Sequence, residues 1–230
     1  MEIELATEAG SSSVVNEDFV VAVPGLVVVL DGVTRPPGTQ TGCVHGTPWF
    51  VRQLGAAMLR RLVEPETPLV DAAAEAIEEV AARHADACDL THPATPSTTL
   101  ALLRERDGRV EYLLLGDSVI LLERGSGLDV VTEVRNTAIV QADPAAPDRA
   151  ITGSVPRGDL RRAAVLTDGA SRFVDLFEFG DWRACLDLLD RDGPGGLIRH
   201  VREAERSDPT GRRWPRAKPC DDATAVLCRF

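Results

Sequence analysis

Aromatic side chains are scarce in this 230-residue chain, at 4%, so Val, Leu and Ala must fill whatever core it has. A long hydrophobic run is also missing: the longest nearly apolar stretch, Phe19 to Leu30, is interrupted by Pro24-Gly25, too short and too broken for a transmembrane helix. The first residues, Met1-Glu2-Ile3-Glu4-Leu5, are acidic where a secretory signal would be basic. Positive charge is in deficit, with 25 Lys and Arg against 36 Asp and Glu. The net charge of −11 opposes long-range attraction to nucleic acid or an anionic membrane. The five cysteines are odd in number and widely spaced, with no C-x-x-C pair, which argues against a disulfide scaffold or a zinc site and for a reducing interior. No glycine-rich phosphate loop is present, and neither is a repeat or a heptad pattern. With 44% hydrophobic and 27% charged residues, one cytoplasmic domain over residues 1–230 is the expectation.

What the chain does have is acids at the ends of apolar runs. Asp31-Gly32 closes Leu26-Val27-Val28-Val29-Leu30, and Asp168-Gly169 closes Ala163-Ala164-Val165-Leu166-Thr167. A carboxylate at the tip of a buried strand is held beside the core and needs a partner; a divalent cation neutralises several at once. Asp-Gly is also a common turn pair, and Asp107-Gly108 and Asp192-Gly193 are explained by turn chemistry alone. Further acids at comparable strand edges, Glu17-Asp18, Asp117 and Asp221-Asp222, exceed what turns require. Oxygen ligands without a local His or Cys cluster select Mg²⁺ or Mn²⁺ over zinc.

The periodicity predicts strands at Phe19 to Val23 and Leu26 to Leu30, then a helix capped by Thr47 with Pro48 in its first position and Trp49, Val51, Leu54, Met58 and Leu62 on one face. A second helix is expected from Leu69 to about Ala87, strands from Thr98 to Val134, and a mobile loop or irregular flap from Arg135 to Leu160. Helices at Trp182 to Leu189 and Leu197 to Ala204 and a last strand at Ala223 to Cys228 follow. The basic run Arg212 to Lys218 reads as an exposed, solvated loop. Strands, two helices, strands, helices and a strand imply an antiparallel α+β layered fold.

In order along the chain, Asn16-Glu17-Asp18, Leu30-Asp31-Gly32, Ser97-Thr98-Thr99, Leu115-Gly116-Asp117-Ser118, Leu166-Thr167-Asp168-Gly169 and Asp221-Asp222-Ala223-Thr224 resemble the motifs of the metal-dependent protein phosphatases, the type 2C serine/threonine phosphatases, bacterial type. The resemblance implies an antiparallel β-sandwich flanked by helix pairs, a four-layer αββα fold. It also implies phosphoserine or phosphothreonine hydrolysis in a protein substrate by water activated between two Mg²⁺ or Mn²⁺ ions. Asp31 would bridge the ions, Glu17 or Asp18 and the carbonyl of Gly32 would serve one, and Asp168 and Asp221 the other. Asp117 would join Asp168 in a weaker third site.

The chain departs from the family pattern in three places. Ser13 stands where family members carry a phosphate-clamping Arg, which leaves Arg35 as the substitute by proximity. The segment after Gly32 is Val33-Thr34-Arg35-Pro36-Pro37-Gly38, and His45 is the nearest candidate general acid. Val119 follows Gly116-Asp117-Ser118 where an Arg is usual. These departures motivate two other expectations, a pseudophosphatase that binds without turnover and a phosphatase of a small phosphorylated metabolite.

Overall fold

Leu26 to Leu30 are all buried, and the alternation of a strand sends Val27 and Val29 into one hydrophobic layer and Leu26, Val28 and Leu30 into another. A strand covered on both faces lies inside a layered structure. The computed structural model describes residues 1–64, 66–133 and 139–230. In chain order the elements are β1 (Glu2–Glu8), β2 (Asp18–Val23), β3 (Leu26–Asp31), α1 (Thr47–Leu62), α2 (Leu69–His84), β4 (Leu100–Arg106), β5 (Arg109–Leu115), β6 (Val119–Arg124) and β7 (Gly127–Val131). They continue with β8 (Ile151–Pro156), β9 (Leu160–Leu166), α3 (Asp168–Asp175), α4 (Trp182–Asp192), α5 (Pro194–Ser207) and β10 (Ala223–Arg229).

The strands form two five-stranded sheets, ordered β1-β10-β9-β6-β7 and β2-β3-β4-β5-β8, and every pairing is antiparallel. Between the sheets lie Val27, Val29, Leu103, Ile120, Val165 and Val226. On the outer face of the second sheet, Leu54 and Met58 of α1 and Ile77 and Val80 of α2 pack on Val28, Leu30 and Leu102. On the outer face of the first, Leu189, Leu197 and Val201 from α4 and α5 pack on Leu121, Ala164 and Leu166. The result is the expected α+β sandwich with helices outside both sheets.

Several expectations need correction. Thr47 does not cap α1: Gly46 holds the N-cap position without a side-chain bond, and the Thr47 hydroxyl donates to the carbonyl of Val33 (3.4 Å). Phe50 takes the inward position, and Trp49 is only half-buried. The flap expected over 135–160 contains a strand, β8, an edge strand on β5 whose Pro156 sits at its end, where a missing N–H costs no ladder bond. Residues 134–138 of that stretch, and the end of the strand expected to reach Val134, lie outside the described residues. Besides β8, two further elements were not anticipated: β1, an edge strand with an almost wholly exposed pattern, and α3, which starts on Asp168 itself.

Candidate metal centre

Asp18 opens β2 and Asp31 closes β3, and the antiparallel register pairs them directly across the ladder. The other sheet delivers its acids at the same end: Asp168 follows β9 and Asp221 precedes β10. Asp117 sits in the turn between β5 and β6, and its charge bears on both Asp31 and Asp168. Five segments far apart in sequence therefore converge at one edge of the sandwich.

The two Asp-Gly pairs owe their glycines to this convergence. A Cβ on Gly32 would lie 2.5 Å from the carbonyl oxygen of Glu17 and 2.6 Å from the Thr47 methyl. One on Gly169 would lie 1.9 Å from the carbonyl oxygen of Asp222. Only backbone fits at either point, so each glycine lets an acid-bearing loop close against another. Gly32 N–H donates to the Glu17 carbonyl (3.1 Å), and Thr99 N–H and the Thr98 hydroxyl donate to the Asp31 carbonyl (each 2.8 Å).

The carboxylates differ in how they are held. Asp18, 7% exposed, accepts from the hydroxyls of Thr167 (2.9 Å) and Thr224 (2.7 Å), both carried by the opposite sheet's strand ends. Burial outweighs those bonds and pushes its carboxyl up to about 7. Asp31 keeps some surface exposure yet is densely surrounded; burial and the charges of Asp18, Asp168, Asp117 and Asp221 hold it well above the usual range. Among the described residues, the one hydrogen-bond donor to its carboxylate is Asp168 N–H, in the first turn of α3, at 3.3 Å. Burial and Asp221 raise Asp168 to about 6. Burial also raises Glu17, against the Thr34 hydroxyl that donates to its carboxylate.

Asp221 is the exception. Arg172 Nη2 reaches one of its oxygens (2.9 Å) and Lys218 Nζ the other (2.6 Å), so two cations already face it. Arg172 continues to buried Glu205 (2.6 Å), Glu205 to Arg202 (2.7 Å), and Arg202 to Glu8 (3.2 Å), a charged chain from the site into the helix layer. Asp222 serves as scaffold: its oxygens accept from the N–H groups of Gly10 (2.8 Å) and Glu17 (2.6 Å), fixing the loop that carries Glu17 and Asp18.

Asp18 and Asp31 have no Lys or Arg salt-bridge partner among the described residues, and the neighbouring carboxylates raise the pKa of both. Closely set carboxylates that repel one another are what a hard divalent cation relieves, so Glu17, Asp18, Asp31, Asp117 and Asp168 are the residues that could hold one.

The remaining expected site residues lie elsewhere. Arg35 donates from Nη2 to Ser97 Oγ (3.2 Å) and the Thr95 carbonyl (3.4 Å). His45 stacks on Trp49 at 4.2 Å between ring centres and contacts Cys88 Sγ at 3.4 Å. Ser13 shares a hydrogen bond with Ser11 (2.7 Å) and brings no cation. Lys218, overlooked within a basic run read as solvated loop, reaches the site instead, donating also to Thr34 Oγ1 (3.0 Å). The rest of that run is no free loop either, because Asp208 gathers the N–H groups of Arg212, Arg213 and Trp214. A signal was there to read: Lys218 stands three residues before Asp221.

A family model described as Protein phosphatase 2C matches residues 12–193. Among solved structures, the chain is similar to PppA, described as a key regulatory component of T6SS in Pseudomonas aeruginosa, with a TM-score of 0.67 at 18% identity, covering 100% of this chain and 97% of that one. It is similar to the Mycobacterium tuberculosis serine/threonine phosphatase PstP/Ppp, with a TM-score of 0.68 at 16% identity over 100% and 98% of the two chains. A structure of the PstP catalytic domain in complex with 2 manganese ions gives 0.63 at 17% identity over 98% and 96%. No curated protein matches the chain.

Proposed function

Because the chain belongs to the protein phosphatase 2C family, we propose that it hydrolyses phosphoserine or phosphothreonine in a protein substrate, with Mg²⁺ or Mn²⁺ as cofactor. The observation that carries this reading is the meeting of buried Asp18 and half-buried Asp31, neither salt-bridged to a Lys or Arg among the described residues, with Asp168 and Asp117 from other segments. Asp31, Glu17 or Asp18, and the carbonyl of Gly32 would hold one ion, Asp31, Asp168 and Asp221 a second, and Asp117 with Asp168 a weaker third. When bound, such ions supply charge that polarises a phosphoryl oxygen and activates water.

The chain's own residues orient these ligands. Thr167 and Thr224 hold Asp18 from across the sandwich, Asp222 holds the Glu17 loop, and the α3 amide steers the Asp31 carboxylate. Outer partners of this kind fix ligand direction. Arg172 is also engaged by Glu205 and Arg35 by Ser97, whereas Lys218 stands on Asp221 and Thr34, so Lys218 rather than Arg35 is the group to receive a substrate phosphate. Arg172 and Lys218 already neutralise Asp221, so the second ion is expected to bind more weakly than the first.

The test is Mn²⁺-dependent hydrolysis of a generic phosphatase substrate and of phosphopeptides by the native chain and by Asp31→Asn. Turnover of phosphopeptides that vanishes in the variant supports the reading; activity on small phosphate esters alone moves it to a metabolite phosphatase. The doubly paired Asp221 favours one second reading, a phosphoprotein-binding module of the same fold. Phosphopeptide binding that survives Asp168→Asn, with no hydrolysis in the native chain, would select it.

A further inference from the structure

A second group of metal-ligating side chains lies on the helical side of the loop that leaves Asp31-Gly32. Cys43 and His45 stand just before α1, His84 is the last residue of α2, and Cys88 follows in the next loop. One ligand atom from each of the four lies within 4.8 Å of all the others. Cys43 Sγ is 3.2 Å from Cys88 Sγ, 3.8 Å from His45 Nδ1 and 3.7 Å from His84 Nδ1, and Cys88 Sγ is 3.4 Å from His45 Nδ1. A tetrahedral zinc ion with bonds of about 2.3 Å to sulfur and about 2.0–2.1 Å to nitrogen has ligand–ligand edges of about 3.3–3.8 Å. Three of the six edges thus already fall in this range, the sulfur pair would open slightly, and the two edges from His84 to His45 and to Cys88 are no longer than 4.8 Å.

The surroundings agree with a ligand role. His84 is 3% exposed, and among the described residues its Nδ1, the nitrogen turned to the group, meets only a thiol. Trp49 packs on both imidazoles, 4.2 Å from His45 and 5.0 Å from His84 between ring centres, and walls the group on one side. Asp89 N–H donates to the Gly42 carbonyl (2.8 Å), so the two ligand-bearing loops are already in register.

We infer that Cys43, His45, His84 and Cys88 bind one Zn²⁺ ion in a closed, four-coordinate structural site separate from the acidic centre. Two thiolates and two imidazoles are a soft set that selects zinc over Mg²⁺ or Mn²⁺, and with all four positions filled no place is left for water or substrate. Binding releases the two thiol protons, while each neutral imidazole gives a nitrogen lone pair. The ion ties segment 33–46 to the end of α2. That segment carries Thr34, which bonds Glu17 and Lys218, so the zinc site would brace the loop on which the acidic centre rests. His45, as a ligand, would be unavailable as a general acid. The absence of a C-x-x-C pair concealed the set, because its halves are Cys43-x-His45 and His84-x-x-x-Cys88, joined only when α1 packs on α2.

The experiment measures zinc per chain by atomic spectroscopy in protein purified under reducing conditions, as native chain, Asp31→Asn, and Cys43→Ser with Cys88→Ser. One zinc in the native chain and in Asp31→Asn, lost in the double variant, is expected. Exchange with Co²⁺ should give the intense visible absorption of tetrahedral thiolate-ligated cobalt in the first two proteins. If the double variant does not fold, His45→Ala, which removes the exposed ligand, serves in its place: its Co²⁺ affinity should fall by more than the about 10–100-fold typical of losing an outer-shell partner. The inference is overturned if the reduced native chain takes up neither ion stoichiometrically. It is equally overturned if uptake follows Asp31→Asn instead of the cysteine changes, or if Cys43 and Cys88 are found as a disulfide in protein prepared with zinc present.

Discussion

Asp18 and Asp31 stand opposite one another in the β2–β3 ladder, a like-charged pair with Asp168 beside it. In the native chain Asp18 titrates at about 7 and Asp168 at about 6, whereas an unfolded aspartate titrates near ~3.9. Between those values the native state holds protons that the unfolded state has lost. Their contribution to stability is complete below about pH 4 and lost as pH rises through the native values. The metal-free chain should therefore lose melting temperature between about pH 4 and about pH 8 relative to Asp31→Asn. Mn²⁺ at 100 times its Kd should restore about 2.7 kcal/mol to the native chain at neutral pH and little to the variant. A thermal melt series across pH, with and without Mn²⁺, checks both signs. Lys218 carries the second prediction at this scale. Removing a charged hydrogen bond to phosphate costs about 1.5–3 kcal/mol, so Lys218→Ala should raise KM for a phosphopeptide about 10–100-fold. Arg35→Ala, which loses a guanidinium turned by its Nη2 to Thr95 and Ser97, should raise it less.

Among the elements, α3 matters most to the site because its first turn carries Asp168 and closes on the loop before β10. Gly169→Ala would drive a methyl into the Asp222 carbonyl, and overpacking of this kind costs about 1–3 kcal/mol. Chemical denaturation should show that loss, and Mn²⁺ affinity should drop with it as Asp221 and Asp222 shift. The acids at the ends of β3 and β9 were legible in sequence because an apolar run stopped by Asp-Gly is a local signal. α3 was not, being eight residues long and separated from the strand before it by Thr167 alone. β1 and β8 escaped notice because each is an edge strand, with much of its surface in water and, in β8, a terminal proline. Edge strands carry little hydrophobic alternation, so their existence is decided by the partner ladder. The zinc-ligating set and Lys218 were hidden for a related reason: their partners are supplied by helix packing and by a loop folded around Asp208, neither of which leaves a local pattern.

On the scale of the whole molecule, a net charge of −11 surrounds the site proposed to receive a phosphate. Long-range repulsion then favours substrates whose phosphorylated residue is flanked by Lys or Arg. Phosphopeptides with basic flanks should show a higher kcat/KM than acidic ones at low salt, with the gap narrowing as ionic strength shortens the Debye length from about 30 Å at 0.01 M to about 8 Å at 0.15 M. The same scale gives the hydroxyls of Thr167 and Thr224 a further meaning. They reach Asp18 across the gap between the sheets, so the acidic edge is a seam stitched from both sides. An ion held there would couple the opening of one sheet to the opening of the other, making two layers a single cooperative unit in amide exchange. Protection of β3 and β9 amides should rise together when Mn²⁺ is added, and rise in neither when Asp31 is Asn.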